Sequence, residues 1–310
     1  MAAPGERVVK DFHLRRLNKP EEYRAAEDVH RLASGLGEEV PVGGPLLRAI
    51  QDQGGLVVGA FADIHLAGFA VGFLGWDGQS LYHYAHLVAV RPEYQHHRVG
   101  FRLMSFQRDE VVGQGLTSMR WTFDPLQSHH AFLFLRRLGA AIDGYHVHYY
   151  GQLATDPDRG SETDRVHASW ALTDANVEQR LAGQLPSTAD DARAVETAVP
   201  IVETDLGEHG LRIPTGVTEP SAPAVHLEIP FDITAIRTHE PASVRTWRHA
   251  TRDAFRSALD SGYVIDDFAV VRVDRERRSF YLLRRRPATP PAAPSATSGG
   301  AAPAGGAEKG

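Results

Sequence analysis

The apolar positions of the chain fall into two periods, and the changes between them divide it into elements. Residues 10–17 (KDFHLRRL) alternate as an opening strand. Pro20 then begins a segment in which Tyr23, Ala26, Val29, Ala33 and Leu36 recur at helical spacing, with Gly35 and Gly37 as its stop. Residues 45–53 (PLLRAIQDQ) predict a short helix before Gly54 and Gly55. Three strands follow, over 56–62 (LVVGAFA), 66–74 (LAGFAVGFL) and 81–90 (LYHYAHLVAV), the last closed by Pro92. Residues 94–114 predict a long helix, 119–123 a strand, 130–138 a helix stopped by Gly139, and 145–153 and 166–172 two more strands. Residues 181–220 show no sustained period and predict an irregular linker with one or two short elements. Beyond them lie a strand over 225–229, a helix over 241–261 and a hairpin of 263–273 with 279–283. The tail, 287–310, is almost wholly Pro, Ala, Gly, Ser and Thr and is expected to be disordered, because it has too little apolar surface to offset the entropy of ordering. No internal repeat stands out.

Composition narrows the chemistry. The 310 residues include 42% hydrophobic and 23% charged positions, enough for a sizeable core. A net charge of −6 argues against nucleic acid as a partner. The absence of cysteine removes disulfides, thiolate nucleophiles and thiolate metal sites. No apolar run approaches the roughly 20 residues of a membrane span, and residues 1–10 carry no signal-peptide core, so no membrane association and a cytoplasmic location are expected. The 16 histidines cluster in pairs (His83/His86, His96/His97, His129/His130, His146/His148), but none has HExxH spacing, and no metal site is expected.

The chemically informative stretch is LVAVRPEYQHHRVGFRLM, residues 87–104: a strand, a Pro-containing turn, a loop and a helix start. A loop that feeds a helix N-terminus presents unpaired N–H groups and the positive end of the helix dipole, which suits a diphosphate. Gly100 allows close approach of a phosphate, and His96, His97, Arg98 and Arg102 could add donors. Three strands before this loop, and a strand and short helix after it, resemble the GNAT N-acyltransferase superfamily over about residues 10–155. In that family the loop reads Q/R-x-x-G-x-G/A; here it is Gln95-His96-His97-Arg98-Val99-Gly100, with Arg98 in place of the first glycine. The resemblance implies an α+β GNAT fold, with a mixed, mostly antiparallel sheet flanked by helices. It further implies that the backbone of Leu87, Val88, Ala89 and Val90 pairs with the pantetheine arm of an acyl-CoA. The N–H groups of Gln95, His96, His97, Arg98, Val99, Gly100 and Phe101 would hold the pyrophosphate. The expected organisation is 1–155 as the acyl-CoA domain, 156–220 as a strand plus linker, 221–286 as a smaller C-terminal α/β extension packed on the first domain, and 287–310 as the tail.

Longer motifs, WTFDPLQSHHAFLFLRRLGA (121–140), YHVHYYG (145–151), TDRVHASWAL (163–172), EIPFDI (228–233), WRHATRDAF (247–255) and GYVIDDF (262–268), resemble a subfamily of large GNAT proteins encoded beside N-acylamino-acid racemases. Some of its members are succinyl-CoA:D-amino-acid N-succinyltransferases. Relatives carry Asn where this chain has His130 and His148. The resemblance implies acetyl-CoA or succinyl-CoA as cosubstrate, a small-molecule amine such as an amino acid as acceptor, and a homodimer as one possible state. It also implies direct attack in a ternary complex without an acyl-enzyme.

Such a transfer needs a base for the amine, an acid for the thiolate and a cation for a substrate carboxylate. Asp124, His86 and His130 are the candidates for the base. The usual tyrosine acid, four residues after Ala131, is replaced by Leu135, so Tyr149, with Tyr145 and Tyr150 nearby, becomes the candidate acid. Arg120, Arg165 and Arg248 are the candidate cations. Two other outcomes are a catalytically weak GNAT fold that binds CoA as a sensor or assembly module, and an enzyme that modifies protein lysines.

Overall fold

A computed structural model describes residues 11–34, 42–151 and 162–285. The expected helix stop at Gly35 and Gly37, the 155/156 boundary and the tail lie outside the described residues. In chain order the elements are β1 (His13–Arg16), α1 (Pro20–Ser34), α2 (Gly44–Asp52), β2 (Leu56–Ala62), β3 (His65–Trp76), β4 (Leu81–Val90), α3 (Val99–Gly113), β5 (Ser118–Phe123) and α4 (Ser128–Ala131), which continues as a π-helix over Phe132–Arg137. After it come β6 (Ala141–His146), β7 (Arg165–Ala171), α5 (Ala175–Leu181), α6 (Thr188–Thr197), β8 (Val199–Pro200), β9 (Val202–Leu206) and β10 (Arg212–Val217). The C-terminal elements are β11 (Ala224–Ile229), α7 (Ile233–His239), α8 (Pro241–Asp260), β12 (Tyr263–Val273) and β13 (Glu276–Arg285).

One 11-stranded sheet runs in the order β1-β2-β3-β4-β5-β7-β6-β12-β13-β11-β8, and β9 and β10 form a separate hairpin. All pairings in the large sheet are antiparallel except β4–β5 and β8–β11, which are parallel. The sheet is therefore mixed and mostly antiparallel, as expected. Its largest core cluster joins both halves of the chain: Trp121, Phe134 and Trp170 belong to the same buried set as Phe255, Phe268 and Tyr281. A second cluster lies under α1 and α2, with Tyr23, Leu47 and Phe69. Local chemistry supports these elements. Pro20 opens α1 with Glu21 and Glu22 in its first turn, where the helix dipole favours negative charge. Ser187 and Asp190 form a capping box on α6.

Three sequence expectations are corrected. The helix expected from Tyr94 starts at Val99, because His96 and Arg98 take left-handed backbone angles (φ 65° and 61°) that a helix cannot continue through. The strand expected over 145–153 is instead Ala141–His146. The sequence AAIDG is a poor strand former alone, but it is held between β7 and β12, while the YHVHYY alternation is broken at His148 (φ 52°). The span 181–220 holds more than the one or two short elements expected: all of α6, β8, β9 and β10 lie in it, and their short apolar faces only acquire a pattern when packed on the sheet.

Two imidazoles make the fold acid-sensitive. His83 on β4 is 2% exposed and His226 on β11 is 9% exposed, and each has a ring nitrogen with no hydrogen-bond partner. Burial pushes both down to about 4. Below the ordinary imidazole value of 6.5 the unfolded chain takes up protons that the folded chain refuses, so stability is fully present above that value and is lost as the pH falls toward about 4. Tm, followed by circular dichroism, is expected to fall by roughly 5–10 °C between pH ~7.5 and pH ~4.5. His226→Leu is expected to flatten that slope.

Candidate active site

The site begins where two parallel strands part. β4 and β5 share only two register pairs, His83 with Met119 and Tyr84 with Arg120. Beyond them β4 stays on β3 while β5 stays on β7, and a wedge opens. The cause is in β4. The β3 register jumps from Val71↔Leu87 to Gly72↔Ala85, so His86 is the extra residue of a β-bulge. A bulge bends its strand away from the neighbour. Gly72, opposite it, is required: a Cβ there would collide with the His83 ring and the Tyr84 carbonyl. Past the bulge, Leu87 to Val90 have no described strand on their β5 side, which leaves backbone donors and acceptors facing the wedge.

The loop at the mouth of the wedge turns its backbone donors toward one side. The side chain of Gln95 donates to the Val90 carbonyl at 3.2 Å and ties the loop to the strand end. His96 and Arg98 are both left-handed, so successive N–H groups turn toward one side. The first helical bond of α3 is Arg102 N–H to the Arg98 carbonyl at 3.0 Å. Among the described residues no backbone carbonyl takes the N–H groups of His96 to Phe101. Gly100 has ample room, since a Cβ would meet only Leu133 at 3.7 Å. Its own packing does not demand a glycine, and in a helix one costs about 1 kcal/mol relative to alanine. Arg137 lies close enough to Arg98 for their charges to interact, and burial first, then Arg98, lowers the Arg137 pKa. The sequence singled out neither that guanidinium nor its convergence on the loop. Arg102 is used elsewhere, donating to the Phe12 carbonyl at 2.7 Å.

Arg98 stands where the family pattern has glycine and keeps the glycine-type angle, φ 61° and ψ 17°. The residue departs from the pattern, but the backbone does not. An L-residue in this region costs about 1–2 kcal/mol. Arg98→Gly is therefore expected to raise stability by about 1 kcal/mol in urea titration while leaving the loop conformation in place.

Beyond the wedge the structure brings together Asp124, His130, Arg165 and Arg248. Asp124 accepts two hydrogen bonds from Arg248, at 2.6 and 3.1 Å, and one from the Leu126 N–H at 2.9 Å. Burial would raise its pKa, but Arg248 and the Leu126 bond outweigh that and hold it below the ordinary carboxylate value. His130 stacks on Phe134 at 5.7 Å, and burial, with His129 beside it, pushes it down to about 3. It is neutral at pH 7. Arg165 lies over the Tyr150 ring at 5.3 Å and donates to the Asp164 carbonyl at 2.8 Å. Among the described residues no carboxylate is within ion-pair distance of it, in contrast to Arg120, Arg248 and Arg252. Arg120 is not part of this group: it pairs with Asp77 at 2.7 Å at the closed end of the wedge.

Tyr149 sits in the turn after β6, 42% exposed, with its ring 4.7 Å from Tyr150. Both face Tyr84, whose phenol also meets Thr122; burial first, and then Tyr150 and Tyr149, raise the Tyr84 pKa against the opposing Thr122 bond. Tyr84 was not anticipated, although its place two residues before His86 on a strand that pairs with β5 was the available signal. His86 reaches solvent beside the rings of Phe73 (5.9 Å) and Tyr84 (6.2 Å), and the partial loss of hydration lowers its pKa. Leu135, in the usual tyrosine position, is fully buried.

A bulged β4, a wedge against a parallel β5 and a loop opening α3 whose N–H groups have no backbone acceptor among the described residues are the features of an α+β GNAT fold. Residues 21–140 match the model of the acetyltransferase (GNAT) family. Among solved structures, the ribosomal-protein-S18-alanine N-acetyltransferase from Escherichia coli is 19% identical, over 53% of this chain and 96% of that one, with a TM-score of 0.44. Aminoglycoside 6'-acetyltransferase type Ii is 18% identical over 52% of this chain and 98% of that one, with a TM-score of 0.43. No protein of curated function matches the chain. Among the described residues no helix is long and apolar enough to cross a membrane, and no group of His, Asp and Glu could hold a metal ion.

Proposed function

We propose that the protein is an acyl-CoA-dependent N-acyltransferase that moves an acetyl or succinyl group to the amine of a small, carboxylate-bearing acceptor such as an amino acid. The observation that carries this is the wedge: β4 backbone over Leu87–Val90 with no described strand on its β5 side, running into N–H groups over His96–Phe101 that no described backbone carbonyl takes, with Arg98 and Arg137 beside them. That sequence of groups matches a cosubstrate with an amide-bearing arm and a diphosphate.

In this reading Arg165 holds the acceptor carboxylate, because it is the cation of the cleft left without a carboxylate among the described residues. The amine attacks the thioester carbon, a C–N bond forms and the C–S bond breaks. The amine proton passes to His86, directly or through water, since a neutral imidazole beside the wedge accepts it more readily than an ion-paired carboxylate. The thiolate takes a proton from Tyr149 or from water. Asp124 and Arg248 act as a fixed pair that orients the groups around them, and His130 as a neutral wall. Direct attack is favoured, because the chain contains no cysteine to form an acyl-enzyme.

The test is release of free thiol from acetyl-CoA and succinyl-CoA with a panel of D- and L-amino acids, beside calorimetry with CoA. Turnover with a carboxylate-bearing amine supports the proposal, and absence of CoA uptake ends it. Uptake without turnover on any amine would instead make the chain a CoA-binding sensor, a reading favoured by Leu135 where a tyrosine acid is usual.

A further inference from the structure

The strands from β5 to β11 lie in the palindromic order β5-β7-β6-β12-β13-β11. Each half has the same chain order: a strand, helix, strand and strand, as β5, α4, β6, β7 and then β11, α7 with α8, β12, β13. On its outer side each half is flanked by a parallel strand that shares only two register pairs, β4 on β5 and β8 on β11. β5 pairs with β7 over six residues, and β11 with β13 over six. The helix leaves through a left-handed glycine in both, Gly139 at φ 76° and Gly262 at φ 77°. In both, Ile and Asp follow that glycine after two residues, Gly139-Ala-Ala-Ile142-Asp143 and Gly262-Tyr-Val-Ile265-Asp266. Both strands then bulge at that aspartate. The halves meet antiparallel at a single register pair, Ile142 with Ile265, so equivalent residues face one another as on a two-fold axis. Two ion pairs at non-equivalent positions also tie the halves together: Arg136 of the first half bonds Asp267 of the second at 3.0 Å, and Arg252 of the second bonds Asp164 of the first at 2.8 Å.

We infer that residues 224–285 are an inverted second copy of the unit at 118–171, which occupies in cis the place of a partner subunit and completes the acceptor site through Arg252. The β6 edge, open to a second chain in the first unit alone, is closed by β12. The second copy has lost cofactor chemistry. No counterpart of the anion loop precedes β11, and buried Ile201 and Val202 pack in the same core as Leu227 and Ile229 beside the β8–β11 junction. What it supplies is support. Arg252 fixes Asp164, which is fully buried and accepts from Tyr145 Oη at 2.7 Å and from the His148 N–H at 3.1 Å. Thr163 beside it accepts from Tyr149 N–H and Tyr150 N–H, both at 3.1 Å. Arg252 is thus a positioning residue for the turn that carries the cleft tyrosines.

Two measurements on the full chain test this. Sedimentation equilibrium at micromolar concentration should give the 34.0 kDa of one chain. A stable particle of two chains overturns the proposal. The second measurement rests on the acyltransfer reading: Arg252→Met should raise KM for the amine on the order of tenfold while KM for acyl-CoA stays within about twofold, and Arg252→Lys should recover part of the loss. An unchanged amine KM in both variants overturns the positioning role. CoA calorimetry on the same samples separates the two ideas, because loss of CoA binding in the wild type would sink the acyltransfer reading and leave the mass result standing.

Discussion

Gly100→Glu is expected to weaken coenzyme A binding by on the order of 100-fold, about 2.7 kcal/mol, without destabilising the fold. The position is the second residue of α3, and a side chain there meets only Leu133 at 3.7 Å, so the helix has room for it. A glutamate in the first turn also complements the helix dipole, and replacing glycine restricts the unfolded chain; both effects stabilise. The same carboxylate would stand among the free N–H groups of His96 to Phe101, where it occupies the anion site and repels a diphosphate. Calorimetry with CoA and a thermal melt on one sample check the two halves of the prediction. Unaltered CoA affinity would mean that the diphosphate does not sit on this loop.

The second large effect concerns stability. Arg248→Met should cost about 3–5 kcal/mol, because it leaves the Asp124 carboxylate buried without its bidentate partner. Arg248 is 5% exposed at its side chain and Asp124 is 14%, so water compensates little of that loss. Adding Asp124→Asn should return much of it, since the amide needs no counter-charge and its oxygen still accepts from the Leu126 N–H. Urea titration of the two single variants and the double variant gives the coupling energy. If the single and double variants were equally unstable, the pair would be packing surface and not an electrostatic unit.

That pair also shows where reasoning from residues alone stops. Asp124 and Arg248 were each recognisable as chemically interesting, one as a base and the other as a carboxylate anchor. Their contact at 2.6 Å joins residues far apart in the chain, so neither charge stands alone as the sequence suggests. The same holds for Arg120, which Asp77 holds at the closed end of the wedge, and for Tyr84, whose interest depends on Tyr149 arriving from another turn. Local features were legible. The strands around the wedge, the loop at 95–100 and the C-terminal hairpin carry their own periodicity and turn chemistry, and they lie close to where they were expected. The AAIDG strand and the elements between 181 and 220 were not, because their order comes from neighbours on both sides.

By itself the sequence determined the period of each strong element and, through the order of those elements and the resemblance they carry, the class of the fold, because periodicity and turn chemistry depend on residues within a few positions of one another. The tertiary structure alone decided which charges neutralise which, where β4 parts from β5, and that 224–285 repeats 118–171. Two copies can keep backbone pairing and a bulge at one aspartate while almost every side chain between them changes, since the sheet is held by main-chain hydrogen bonds that any residue can make.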